Sequence, residues 1–377
     1  MVLEKIFPAG IATGASFCNR TAEREQLMEC LKNNEHIVLI SPRRYGKTSL
    51  ISQVIFDTAI PAVSIDFLLA PDAEYIKEAI LKGVAELCSI LLSKVASLKE
   101  RIFAVLADFN PKLTLSAMGQ KLELSSRSIS PSTITEALLA LETAAKEAKA
   151  HIVFVMDEFQ QIATLHDNHT IEASIRHAVE RSRYVTYFFS GSNRHLLEQM
   201  FNDKTRPLYH LCDLIKLERI SGCELGKFIG ASATKRWSGG LTNEAIEAII
   251  YLTRCHTFYI NSLCRLLWKK KSVPTAAEVK AFWHDYVYKQ QWIVNDLAGL
   301  TPNQRKIVAA LAQKPVAEIY GPYIRKETGL VPSSIGKTVK SLEKMDMIYK
   351  DADGKYKVLD PATLYFLVTK SYISNNS

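Results

Sequence analysis

The segment His36–Leu50, HIVLISPRRYGKTSL, constrains the fold more than any other stretch of this chain. The run Ile37–Ile40 has the length and apolar character of a buried strand; Ser41-Pro42 stops it, a basic loop follows, and Gly46-Lys47-Thr48 leads into residues that favour helix. Strand, loop and helix in that order aim successive backbone N–H groups at one point in front of a helix N-terminus, where an anion is stabilised. In a phosphate-binding loop of this kind Lys47 reaches the β- and γ-phosphates and the Thr48 hydroxyl ligates Mg²⁺. Ser41 stands where the GxxxxGK[ST] pattern has its first glycine. Serine serves there if its φ stays negative. The tripeptide recurs at Gly336-Lys337-Thr338, but Val331 occupies the glycine position and no strand precedes it, so that copy is set aside.

The rest of the first 220 residues has the alternation such a loop requires. Short apolar runs at His36–Ser41, Ala62–Leu69, His151–Met156, Thr186–Ser190 and Asp213–Leu217 suit strands buried on both faces. Helical stretches lie between them at Thr48–Asp57, Asp72–Leu98, Ser132–Ala150, Thr170–Arg183 and Arg194–Phe201. This is an α/β pattern with a parallel five-stranded sheet. Residues 100–131 interrupt it and are expected to form a polar insertion or hairpin. From Ser221 to about residue 297 the chain is expected to be all helical, chiefly Thr242–Leu252, Thr257–Lys270 and Ala276–Val294. Beyond residue 298, helices at Pro302–Ala312, Tyr320–Thr328 and Pro332–Met345 precede two β-like runs around Asp351-Ala352-Asp353-Gly354. Three helices and a hairpin outline a winged helix, so the expected domains are 1–220, 221–297 and 298–377.

Two further elements bear on chemistry. His151–Met156 ends in Asp157-Glu158, and at such a strand tip an aspartate positions Mg²⁺ while the adjacent glutamate polarises the attacking water. The run Thr186–Ser190 leads to Gly191-Ser192-Asn193, where Ser192 (or Asn193) would face the γ-phosphate and the lytic water, unless Asn193 only caps the next helix.

These segments together resemble a known family. Phe17-Cys18-Asn19-Arg20 followed by Glu23-Arg24-Glu25-Gln26-Leu27, the loop Pro42-Arg43-Arg44-Tyr45-Gly46-Lys47-Thr48-Ser49-Leu50, and GSNRHLLEQMFNDKTRPLYH with Arg206-Pro207-Leu208-Tyr209 resemble the archaeal-type P-loop ATPases, AAA+-related proteins of the STAND class. The resemblance implies a P-loop core, a helical lid and a C-terminal winged helix, with ATP and Mg²⁺ as ligands. It implies that Pro42 to Ser49 surround the phosphates, that Arg20 lies near the adenine, and that Thr48 and Asp157 hold the metal. Lys47, Glu158 and Ser192 would carry hydrolysis, and Arg44 or Arg206 would contact phosphate, in cis or as an arginine finger from a neighbouring subunit. His256, in Arg254-Cys255-His256-Thr257-Phe258-Tyr259, would face the nucleotide, although the family's glycine and proline are missing there. Nucleotide in this class acts as a switch that exposes or hides a partner surface, with slow turnover.

Composition narrows the setting. No run approaches the roughly 20 apolar residues of a membrane span, the N-terminus lacks a signal-like apolar core, and seven cysteines form no CxxC pair, all of which suit a cytoplasmic chain with reduced thiols. Of the net charge of +8, residues 298–377 contribute +5, from 12 Lys/Arg against 7 Asp/Glu. There Lys337, Lys340 and Lys344 share one helical face, with Lys355 and Lys357 on the expected wing, a pattern that would contact DNA phosphates without reading bases. The alternatives are therefore a nucleotide-driven switch and a DNA-binding regulator whose nucleotide site is weak. In either case the wing could instead serve a protein partner or self-association.

Overall fold

A computed structural model describes residues 6–94, 131–351 and 353–375. The insertion or hairpin expected at 100–131 lies outside them, apart from Pro131, which opens a helix. The chain divides into two compact units: Ile11–Glu218, and Arg219–Ser377 together with Met1–Gly10.

The first unit runs α1 (Thr21–Asn33), β1 (Ile37–Ile40), α2 (Lys47–Thr58), β2 (Ala62–Asp66), α3 (Ala73–Lys94), α4 (Pro131–Glu147), β3 (Ile152–Asp157), a 3-10 helix (Phe159–Thr164), α5 (Asn168–Val179), β4 (Val185–Gly191), α6 (Arg194–Asn202) and β5 (Asp213–Lys216). Its five strands are all parallel in the order β2-β3-β4-β1-β5. Every β1 and β4 residue is buried, as continuous apolar runs require when helices cover both faces.

Alternation of side chains along each strand sorts the core into two layers. Val38, Ile40, Ile152, Phe154, Met156, Val185, Tyr187 and Phe189 pack with α3, α4, α5 and α6. Ile37, Leu39, Val153, Val155 and Phe188 pack with α1 and α2 on the opposite face. The same parity carries on to the strand tips. Asp157 and Ser190 therefore continue the face that α2 covers, and Asp66, in register with Asp157 on β2, belongs to it too.

β2 is shorter than expected. Its run was expected to continue to Leu69, but the Asp66 carboxylate accepts from Leu68 N (2.8 Å) and Ala70 N donates to Phe67 O (3.0 Å), turning the chain out of the sheet. α1 has no counterpart among the sequence expectations; it buries only Leu27, Cys30 and Leu31 beneath a charged surface.

The second unit contains α7 (Gly222–Arg236), α8 (Asn243–Thr253), α9 (Thr257–Leu267), α10 (Ala276–Tyr288), α11 (Gln291–Gly299), α12 (Pro302–Gln313), α13 (Pro322–Thr328), α14 (Pro332–Lys344), β6 (Ile348–Lys350), β7 (Tyr356–Val358) and α15 (Pro361–Asn375). Side chains of Ser221, Thr242, Thr275 and Thr301 accept the N–H three residues on, which sets where α7, α8, α10 and α12 begin. The single helix expected over Ala276–Val294 is two, because Gln290 takes an extended backbone and starts α11 afresh. β6 and β7 pair antiparallel, and Gly354 (φ 77°) supplies the left-handed residue their turn needs. Three helices followed by a hairpin is the element order expected for residues 298–377. The tyrosine hydroxyl of Tyr259 in α9 donates to Asp360, which opens α15, and Phe7 sets its ring edge against Trp268 at 4.6 Å. Among the described residues no helix is long and apolar enough to cross a membrane.

Candidate functional site

Parallel strands with helical crossovers deliver all their C-terminal tips to one edge of the sheet, and ligands bind at that edge. Here β1 releases the loop 41–46 directly onto α2. Ser41 is buried with no left-handed φ, so serine fits the first-glycine position; its hydroxyl donates to Pro42 O (3.0 Å). The left-handed residues of the loop are Arg44 (φ 66°) and Gly46 (φ 91°). Gly46 is the N-cap of α2 and has no side chain to satisfy the first helical N–H groups, which leaves them directed into the loop. The Lys47 side chain is buried and folds back over the loop, donating to Ser41 O at 3.3 Å. Pro42 and Tyr45 are buried, whereas Arg43 and Arg44 are exposed.

The acids sit across from this helix. Thr48 Oγ1 donates to Asp157 Oδ2 at 2.9 Å, a contact spanning 109 residues of sequence. Asp157 Oδ1 accepts from Ser190 Oγ (2.5 Å) and from Glu158 N (2.9 Å). Glu158 adopts a left-handed backbone (φ 50°), which turns its side chain away from that of Asp157 and toward β4. There Glu158 Oε2 accepts from Ser192 Oγ at 2.7 Å, and Ser192 Oγ in turn accepts from Arg43 Nε at 3.4 Å. Thr48, Asp157, Ser190, Glu158, Ser192 and Arg43 thus form one connected group, with Lys47 beside it at the start of α2. The hydroxyl and carboxylate of Thr48 and Asp157 suit a hard divalent cation that keeps most of its waters. Burial, and then the neighbouring charges of Asp157 and Glu158, push the Asp66 carboxyl above its usual range, against the pull of the Leu68 amide.

Three residues beside these acids were not anticipated: Ser190, which bonds Asp157; Asp66, in register with Asp157; and Gln160, whose amide nitrogen donates to Glu158. Strand parity in β4 and β2 would have found the first two. The third depends on the 3-10 helix after β3, for which the sequence has no periodic signal.

Other expected residues lie elsewhere. Arg20 is buried and acts as a strut, with its guanidinium donating to Tyr45 O (3.0 Å), Glu218 O (2.9 Å) and Glu23 Oε1 (2.8 Å). It supports the loop from behind, and the left-handed backbone of Asn19 and Arg20 aims it there. Ser49 Oγ accepts from Ala12 N (3.0 Å), tying the N-terminal segment to α2. Asn193 accepts from Leu196 N (3.1 Å) and caps α6. Arg206 pairs with the fully buried Glu172 of α5 and lies 3.3 Å from His169 Nε2. Burial raises Glu172 to about 7, against the pull of Arg206. His256 belongs to the second unit, where it is the buried N-cap residue of α9, 5.0 Å from the Tyr259 ring. The two residues before it, Arg254 and Cys255, are both left-handed, which is the conformation a glycine there would have eased. The second GKT lies inside α14, with Thr338 Oγ1 bonded to Ser334 O (2.7 Å), so it forms no loop. Lys337, Lys340, Lys344 and Lys355 are exposed, but Lys357 is paired with Asp351.

No protein-family model and no curated protein sequence matches the chain. Solved structures do. The Walker-type ATPase of Pyrococcus abyssi superposes with a TM-score of 0.70 at 17% identity, covering 96% of this chain and 99% of that one. The ORC2 protein of Aeropyrum pernix in its ADPNP–ADP complexes gives 0.58 at 12% identity, covering 98% of each chain. Its ADP form gives 0.52 at 11% identity, covering 98% of this chain and 96% of that one. At these identities the likeness establishes the fold, an α/β P-loop ATPase fold.

Proposed function

We propose that the first unit binds ATP with Mg²⁺ and hydrolyses it, and that nucleotide state acts as a switch for a partner. The observation that carries this reading is the Thr48–Asp157 hydrogen bond of 2.9 Å, which joins the phosphate loop to the acid pair at the C-terminal tips of the strands. The loop's N–H groups and Lys47 would bind the β- and γ-phosphates. Thr48 and Asp157 would hold Mg²⁺, whose charge would offset that developing on the phosphate oxygens. Glu158 would take a proton from the attacking water, with Ser192 orienting it, and Arg44, exposed in the loop, would contact the triphosphate. Arg206, engaged with Glu172, would reach phosphate only by leaving that pair, so a trans role needs a rearrangement. Assignment to the STAND class, and division of the second unit into a lid (221–297) and a winged helix (298–377), belong to the same reading.

The test is nucleotide binding and hydrolysis by the wild type, Lys47→Ala and Glu158→Gln. Lys47→Ala should abolish tight binding, while Glu158→Gln should keep ATP and lose turnover by about 10²-fold or more, the usual contribution of a general base. Undiminished ATP binding by Lys47→Ala would sink the assignment of the loop.

One observation favours a second reading, DNA binding by the C-terminal module: the exposure of Lys337, Lys340 and Lys344 along α14. Fluorescence anisotropy with duplex DNA across a salt series tests it, since each lysine–phosphate contact should add about 0.9 to the slope of log K against log salt. No binding at low salt removes it.

A further inference from the structure

Gln160 is the part of the acid cluster that the proposed chemistry has not used. It sits in the 3-10 helix after β3, only 3% exposed, and its amide nitrogen donates to Glu158 Oε2. The same oxygen accepts from Ser192 Oγ at 2.7 Å and from Ser192 N at 3.4 Å. Glu158 is therefore anchored through one carboxylate oxygen by three donors from two different elements. Among the described residues none donates to Oε1, the oxygen left for a reacting proton.

The other end of the Gln160 amide is unusual. Its Oε1 is buried without a hydrogen-bond partner. It lies so close to the Gly191 backbone that a Cβ at position 191 would stand 1.9 Å from it. Reversing the amide would put its oxygen against the Glu158 carboxylate and lose the donated bond, so the orientation is fixed by Glu158. Leaving a buried carbonyl unsatisfied is costly, and such groups persist where another contact outweighs the cost. The gain here is the bond to Glu158. Glycine at the end of β4 is what makes room, because any side chain would push the amide away. The arrangement is also rigid: Phe159, next to Gln160, is fully buried against Phe189 (4.6 Å) and Phe201 (5.9 Å), so the 3-10 helix has a fixed seat.

We propose that Gln160 is a positioning residue for Glu158: with Ser192 it holds one carboxylate oxygen so that the other faces the attacking water, and Gly191 is the position that permits this. The proposal rests on the ATP-hydrolysis reading. Two variants test it, Gln160→Met, which keeps length and loses the donor, and Gly191→Ala, which leaves Gln160 intact and displaces its amide. Each should lower kcat at saturating ATP on the order of tenfold or more, since small misplacements of a reacting group are costly. Affinity for a non-hydrolysable ATP analogue should stay within about threefold, because Glu158 acts on water and not on phosphate binding. The double variant should be no worse in kcat than the more severe single, as both break the Gln160–Glu158 contact, while the added contact of a Cβ at 191 with Leu197 (2.8 Å) bears on folding. An unchanged or increased kcat, or additive losses, overturns the proposal. Thermal unfolding identifies a variant that fails to fold, and the other then decides. If the wild type binds ATP but never turns it over, the hydrolysis reading fails separately. A crystal structure of Gln160→Met still decides the positioning: Glu158 displaced supports it, and Glu158 unmoved overturns it.

Discussion

Ser190→Ala probes the proposed metal-binding end of the site without touching a proposed ligand. The Ser190 hydroxyl is fully buried and donates to Asp157 Oδ1 at 2.5 Å, while Thr48 holds Oδ2 at 2.9 Å and Glu158 N shares Oδ1 at 2.9 Å. Removing it deletes one of three donors to a carboxylate. A hydrogen bond to a charged group contributes about 1.5–3 kcal/mol. The lower end applies, because alanine leaves no orphaned donor and Asp157 is only half-buried, so water can replace part of the lost contact. About 1.5 kcal/mol corresponds to roughly tenfold in an equilibrium constant. Losing the partner of a ligating carboxylate weakens metal binding by about 10–100-fold, which agrees. The Mg²⁺ concentration giving half-maximal binding of a fluorescent ATP analogue should therefore rise about tenfold in Ser190→Ala. Nucleotide affinity without Mg²⁺ should stay within about twofold, since Lys47 and the loop are untouched. A Mg²⁺ dependence unchanged within twofold would refute the reasoning, and would mean that Thr48 and the backbone alone fix Asp157.

Glu142 of α4 accepts the backbone N–H groups of Arg183 (2.9 Å), Tyr184 (3.1 Å) and Val185 (3.0 Å), which open β4. Glu142→Ala should cost about 2–3 kcal/mol in urea unfolding by leaving these donors without their charged partner, and a loss below about 0.5 kcal/mol would contradict this. Glu172 predicts a pH dependence. Its carboxyl is raised from the ordinary 4.5 to about 7, so the folded chain binds a proton more tightly than the unfolded one, and stability should fall as pH rises from 4.5 through 7. Unfolding free energies of wild type and Glu172→Gln measured between pH 4.5 and 8 should diverge in that window; parallel curves would remove Glu172 as the cause. Arg20→Lys should weaken nucleotide binding indirectly, because a single ammonium cannot hold Glu23 Oε1 together with Tyr45 O and Glu218 O, which the guanidinium reaches with two separate nitrogens. Equal affinity in an ATP titration would show that the strut is dispensable.

Local pattern carried the sequence a long way. The apolar runs gave all five strands, because burial on both faces leaves an unbroken apolar signature, and the tight GKT loop and the acid pair were readable because each lies within a few consecutive residues. Positions that misled were those where a single residue redirects the chain locally, such as Asp66, whose carboxylate ends β2, and Gln290, whose extended backbone divides α10 from α11.

The sequence by itself determined that a phosphate-type loop follows a buried strand and that Asp157 and Glu158 end another. Only the tertiary structure decided what meets what. The order β3-β4-β1 brings Ser190 onto Asp157, Ser192 onto Glu158 and Thr48 across 109 residues to Asp157. It also turned Arg20 inward as a strut and engaged Arg206 with Glu172. The physical reason is range. Periodicity and capping depend on neighbours a few residues apart, whereas the site is built from parallel strands joined by long crossovers, whose pairing follows from how the whole core packs.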